Sequence, residues 1–208
     1  MRTFHAVMLI GAIAVLGGCS SMSEKECLAT DWRTVGYEDG VAGRSGDRIG
    51  RYREQCSEHG VAPSLSEYQA GREQGLREFC KPANGFRVGA RGVSYNGVCP
   101  ADTDDAFLDA YQSGRQLYSL RSRVDSTANA IRSARAEMER LDQDLITVGA
   151  QIIDSSTSTE RRAQLVLDSK HMAERRGELR ARIPAMQNDL AAYQRDLDDY
   201  SASLPYVE

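Results

Sequence analysis

The chain has 208 residues, with 26 Lys and Arg against 30 Asp and Glu, for a net charge of −4. A mildly acidic chain of mixed charge lacks the concentrated basic face that nucleic acid requires, so no nucleic-acid partner is expected. Residues 1–18 hold one Arg and no acid, so the remainder carries 25 basic and 30 acidic side chains, a net −5, and is long enough for one or two domains.

The chain opens MRTFHAVMLIGAIAVLGGC. Arg2 precedes an apolar run from Phe4 to Leu16, which suits a secretory h-region and is too short for a spanning helix of ~20 residues. Leu16-Gly17-Gly18-Cys19 resembles a bacterial lipobox, in which small residues admit the peptidase and the cysteine thiol carries lipid. Residues 1–18 are therefore expected to be a lipoprotein signal peptide, Cys19 the lipid attachment site, and 19–26 a tether. Acyl chains bury methylenes at ~0.8 kcal/mol each, so the membrane is the first expected partner. Ser20 after the cysteine resembles the signal for the periplasmic face of the outer membrane. The alternative is an ordinary signal peptide with a chance cysteine.

Four cysteines follow: Cys27, Cys56, Cys80 and Cys99. An even number in an oxidising compartment predicts two disulfides, with three possible connectivities. Neighbour pairing is favoured because Cys80 and Cys99 bracket one glycine-rich segment. A zinc site is the alternative, but no CxxC is present and the spacings do not suit a finger or ribbon. Cys56 and His59 also stand three apart, as a thiol and a base.

Residues 27–101 form a Cys/Gly-rich domain: 12 of the 18 glycines lie there, and the composition shifts sharply beyond it. Helices are predicted at 30–41, 47–58 and 65–80, with turns through 82–101. Asn84-Gly85 and Asn96-Gly97 are turn dipeptides that suggest a small β-hairpin. Tyr68-Gln-Ala-Gly-Arg72 returns as Tyr111-Gln-Ser-Gly-Arg115, and Trp32, Gly36 and Gly40 echo the spacing. On a helix such residues share a face, where glycine admits a second backbone and the ring covers the contact. Each helical glycine costs ~1 kcal/mol, so close packing must offset it. Trp32, Gly36, Gly40, Tyr68, Gly71, Gly75, Tyr111 and Gly114 are thus predicted as a packing motif. The glycine run from Gly36 to Gly50 has no lysine for a P-loop and no G-x-G-x-x-G, so no nucleotide and no other cofactor is expected.

From 102 to 200 the pattern changes to heptads. Apolar or small residues recur from Leu117 through Leu120, Val124, Thr127, Ile131, Ala134, Met138, Leu141, Leu145 and Val148 to Ile152. A polar turn near 153–159 follows, and Thr157 with Glu160 reads as a capping box for a second helix. Its seam is Leu165, Ser169, Met172, Arg176, Leu179, Ile183, Met186, Leu190, Tyr193, Leu197 and Tyr200. Two seams of equal length predict a long antiparallel hairpin of ~50 Å, with 201–208 as a tail. Two long helices zipping between subunits are the alternative. Pro184 is expected to kink or break the second helix, with Ala128, Ala130 and Ala134 opposite it. Arg176 is expected to reach Glu137, Glu139 or Asp142. The fold class is therefore mainly α: a small disulfide-stapled, glycine-rich helical domain followed by a coiled-coil hairpin.

No catalytic signature emerges. HExxH, GxSxG and an EF-hand loop are missing, and Asp102 or Thr103 is better read as a helix cap. His59 is read as capping a helix end and His171 as solvated. No enzymatic activity and no metal site are expected.

Residues 27–118 resemble a Gram-negative envelope lipoprotein family known as domain of unknown function number 2799. The resemblance rests on Asp31-Trp32 with Gly36-x-x-Asp39-Gly40, on Cys56, and on Tyr68-x-x-Gly71-x3-Gly75-Leu76 leading to Cys80. It continues through Pro82-x-Asn84-Gly85, Gly89-x-x-Gly92-x-x-Tyr95-x-Gly97-x-Cys99-Pro100 and Phe107-x3-Tyr111-x-x-Gly114-Arg115. It implies an envelope lipoprotein and carries no activity with it; the hairpin lies outside it. The leading functional expectation is a non-catalytic adaptor whose hairpin binds an envelope protein. A peptidoglycan binder whose exposed tyrosines and arginines contact glycan or peptide stems, with Tyr68 and Tyr111 as the residues to test, is the second. A hydrolase built on Cys56 and His59 is the third.

Overall fold

The computed structural model describes residues 22–205, so the expected signal peptide over 1–18 and the expected lipid attachment at Cys19 lie outside the described residues. Seven helices follow: α1 (Glu24–Ala29), α2 (Trp32–Val41), α3 (Arg48–Ser57), α4 (Leu65–Phe79), α5 (Pro82–Ala90), α6 (Ala101–Ile153) and α7 (Thr159–Ser203). Among the described residues there is no strand, and no helix is long and apolar enough to cross a membrane.

Local chemistry explains most helix starts. Ser23 and Glu26 close a reciprocal capping box on α1, inside the stretch expected to be a tether. Asp31 caps α2 through the Arg33 amide, and Ser64 caps α4 through the Glu67 amide. The segment 82–101 departs from expectation, because 82–90 is a helix. Pro82 sits in its first turn, where a fixed φ and a missing N–H cost nothing. Asn84-Gly85 therefore lies within a helix, and the Asn84 amide donates to the Phe79 carbonyl at 2.8 Å. Asn96-Gly97 does stand in the loop beyond, with Gly97 at φ +65°.

The long helices pair as a hairpin. All 22 predicted seam positions are buried or half-buried. Leu117, Ile131, Ala134 and Val148 on α6, with Leu165, Leu179 and Ile183 on α7, are its buried residues. Register is fixed by Arg175 Nε to Glu137 Oε1 and Arg176 Nε to Asp142 Oδ1, both 2.8 Å, and by Arg123 stacked 5.4 Å from the Tyr193 ring centre. Pro184 neither breaks nor ends α7. It is exposed, as is Arg180 four residues earlier, so the carbonyl deprived of its amide partner faces water.

Two caps differ from those expected. Ser158 caps α7 by accepting from the Arg161 amide, while Thr157 Oγ1 donates to the Gln151 carbonyl. Pro100 occupies the α6 N-cap, so neither Asp102 nor Thr103 does; Asp104 instead accepts from the Tyr95 hydroxyl at 2.6 Å.

The base of the hairpin is part of the glycine-rich fold. Phe86, Ala110 and Leu117 form a core with Leu197, Tyr200 and Leu204, so the end of α7 returns to α5 and the root of α6. The Tyr200 hydroxyl donates to the Ser113 carbonyl at 3.0 Å.

Candidate functional site

The cysteines pair as neighbours. Cys27–Cys56 ties α1 to the end of α3, and Cys80–Cys99 ties the end of α4 to the loop before α6, each with Cα atoms 5.7 Å apart. Closing loops of 29 and 19 residues, each bond removes about 3–4 kcal/mol of freedom from the unfolded chain. Cys56 therefore has no free thiol for the hydrolase expectation. His59 does not cap α3 through its ring either: Nε2 lies 3.1 Å from the Met22 carbonyl oxygen. His171 is exposed. Among the described residues no group of three His, Cys, Asp or Glu is arranged to hold a metal.

The predicted packing residues meet as two helix crossings. In the first, α2 lies on α4 with backbone against backbone. A Cβ placed on Gly36 would stand 2.0 Å from the Tyr68 carbonyl oxygen, and one on Gly71 1.9 Å from that of Arg33. Gly40 and Gly75 are equally closed, by Arg72 and Tyr37. In the second, α5 lies on the root of α6: Gly85 meets the Phe107 carbonyl, Gly89 that of Tyr111, and Gly114 that of Phe86. Trp32 is buried in the first unit with Cys27, Ile49, Cys56 and Tyr68.

The two crossings are copies of one device. A shift of 49 residues carries Gly36, Gly40 and Gly43 onto Gly85, Gly89 and Gly92. A shift of 39 carries their partners Tyr68, Arg72, Leu76 and Phe79 onto Phe107, Tyr111, Arg115 and Tyr118. Gly43 and Gly92 both have positive φ, +64° and +73°, and each is roofed by the ring at the matching position, Phe79 or Tyr118. Even a hydrogen bond repeats: Arg72 donates to the Arg44 carbonyl, and Tyr111 donates to that of Val93. The pentapeptide echo at Tyr68 and Tyr111 is thus one helical turn out of step with the structural repeat, in which Phe107 takes the place of Tyr68.

Asp39, at 1% exposure, is the one buried charged residue among the described residues, and sequence reasoning gave it no role of its own. Its carboxylate accepts from Tyr68 Oη at 2.8 Å and Arg44 Nη1 at 2.9 Å, with Arg48 Nε at 3.2 Å and Tyr52 Oη at 3.4 Å. Tyr68 is fully buried, which corrects its assignment as an exposed wall-binding residue; its hydroxyl is engaged by Asp39. Tyr111 is half-buried, donating to the Val93 carbonyl at 3.0 Å.

Burial first and the Asp39 hydrogen bond second push the Tyr68 phenol well above its ordinary value. Burial, followed by the bond to Asp104, pushes Tyr95 up to about 12. The folded chain holds both protons more tightly than the unfolded chain does. The resulting stability is complete below the unperturbed phenol value of 10.0 and is lost as pH rises through about 12. Denaturant midpoints from pH 8 to 12 are expected to fall above pH 10, and less steeply in Tyr68→Phe. A midpoint flat to pH 12 would contradict this assignment.

The hairpin's distal end has a different surface. Ile146, Ile153, Val166 and Leu167 are 68, 84, 51 and 53% exposed. Ile146 and Ile153 occupy b positions and Val166 an e position. In an antiparallel pair these flank the same edge of the seam, opposite the edge where Glu137 and Arg175 meet. Heptad reading finds the seam and passes over these residues because they lie beside it.

No curated protein and no solved structure matches the chain. Residues 31–116, which span both glycine crossings from the Asp31 cap to the root of α6, match the family model described as protein of unknown function (DUF2799).

Proposed function

We propose that this protein is a lipid-anchored envelope lipoprotein, held through Cys19 on the periplasmic face of the outer membrane, that acts as a non-catalytic adaptor. The hairpin carries its docking surface, and the partner is another envelope protein. One observation carries this reading: the exposed apolar residues Ile146, Ile153, Val166 and Leu167, gathered at the end of the hairpin farthest from the glycine-rich base. Fully exposing such side chains instead of burying them forgoes about 1.5–3 kcal/mol each, and contiguous exposed apolar surface marks interaction sites. The lipobox-like Leu16–Cys19 and the two disulfides suit an oxidising compartment. With Cys56 bonded to Cys27, the thiol that a Cys56–His59 hydrolase would need is already spent.

Photo-crosslinking in living cells of the native host tests the reading, with probes at Leu167 on the distal end and at Arg140 and Gln187 along the shaft. A single discrete protein adduct, strongest from Leu167, is the expected result. Recovery of the chain only with purified peptidoglycan, with no protein adduct from any probe, would replace the adaptor with a wall binder.

A further inference from the structure

We propose that the cleft between the two glycine-crossed units binds a phosphate-bearing ligand. This site lies at the opposite end of the molecule from the hairpin tip and does not depend on the adaptor reading. The cleft encloses about 420 Å³ and exists because the units meet. Its walls are the loop after α2 with the start of α3, and the end of α5 with the loop that follows. Those loops are equivalent in the internal repeat: the shift of 49 that superposes the glycines also carries Ser45 onto Ser94, and both line the cavity.

Its charge is lopsided. Arg44, Arg48, Arg51 and Arg91 all line it, whereas the nearby acids are Asp47 on the wall and Asp39 buried behind it. Four guanidinium groups against two carboxylates leave two positive charges. Arg44 and Arg48 each commit one nitrogen to Asp39, which fixes their position and leaves further N–H groups to donate. The Arg51 side chain makes no hydrogen bond or close ion pair among the described residues and acts on Asp47 only through its charge, and the Arg91 side chain gives only Nε to the Arg87 carbonyl. A phosphate monoester carries about −1.5 to −2 charges at neutral pH and offers oxygens to several guanidinium forks, so it matches the excess, where a lone carboxylate supplies half of it. The Phe79 and Val88 side chains give the cavity an apolar side for the carbon skeleton attached to the phosphate.

A soluble phosphate ester and a lipid headgroup offer the same chemistry. Calorimetric titration of the full chain in neutral detergent, at about 0.15 M salt to screen diffuse attraction, separates them. The probes are inorganic phosphate, glycerol 3-phosphate, short-chain dihexanoyl phosphatidic acid, and acetate. The phosphate probes are expected to bind at least about tenfold more tightly than acetate, a ratio that charge-assisted hydrogen bonds supply. The double variant Arg51→Gln, Arg91→Gln is expected to weaken them by about tenfold or more at an unchanged melting temperature, since neither arginine touches Asp39. Tighter binding of glycerol 3-phosphate than of phosphatidic acid identifies a soluble ester, and the reverse order a headgroup. Absence of binding by every phosphate probe, equal binding of acetate, or full affinity in the double variant would overturn the proposal.

Discussion

Gly71→Ala is expected to cost the protein ~3 kcal/mol or more, although it adds one methyl group to a helix that should welcome it. On propensity alone the change is worth ~1 kcal/mol in favour of alanine. The new Cβ, however, would stand 1.9 Å from the Arg33 carbonyl oxygen, 2.8 Å from its carbon and 3.0 Å from the Tyr37 nitrogen. These are backbone atoms of α2, so no side chain can turn aside. The crossing must open, and Gly36, Gly40 and Gly75 lose their contacts with it. Gly149→Ala is the matched control: nothing lies within 4 Å of its Cβ, and the same substitution is expected to stabilise by ~1 kcal/mol. Denaturant unfolding of the two variants checks the pair. A Gly71→Ala chain as stable as the native one would mean that the helices do not cross this closely.

Asp39→Asn is expected to lower stability by ~3 kcal/mol, with nearly identical shape. The carboxylate serves two arginines and two tyrosine hydroxyls from four different positions, and an amide has one acceptor oxygen in place of two. Its NH₂ group would face a donor already there. Because Arg44 and Arg48 keep part of their side chains in water, the loss falls at the low end of what breaking a buried ion pair costs. Tyr68→Phe removes one of the four interactions and leaves the charge paired, so about 1 kcal/mol is expected. Thermal and denaturant melts of the two variants rank them; equal loss in both would assign the stability to the hydroxyl and not to the carboxylate.

The hairpin was legible because its signal is redundant. Twenty-two seam positions share one period, and weak members such as Ser169 or Arg176 are outvoted by their neighbours. Two disulfides were legible from the even number of cysteines, with neighbour pairing only favoured among three connectivities; the tertiary contacts decide for it. The glycines announced close packing, since helical glycine is costly and needs a reason. What they could not announce was the partner. Gly85 and Gly89 carry the same spacing as Gly36 and Gly40, but Asn84-Gly85 is also a turn dipeptide, and local turn chemistry won the reading. The decisive fact, a second helix at backbone contact, comes from α6 and is tertiary. The repeat was seen and misaligned for a related reason. Identity at Tyr68 and Tyr111 drew the eye, whereas the structure conserves position relative to the glycines, where phenylalanine replaces tyrosine. Asp39 was hidden because its role depends on Tyr68, 29 residues away, and on two arginines beyond the end of α2.

Adduct yield from a photo-crosslinking residue at Leu167, compared in cells between the native chain and one carrying Ile146→Ser, Ile153→Ser and Val166→Ser, decides whether the hairpin tip docks a protein. All three side chains are exposed, so the helices should keep their stability while the apolar surface disappears. The adaptor reading predicts one discrete protein adduct in the native background and its loss in the triple variant at an unchanged melting temperature. The same adduct at the same yield in both, or a diffuse smear in both, would show that the hairpin tip is not a docking surface.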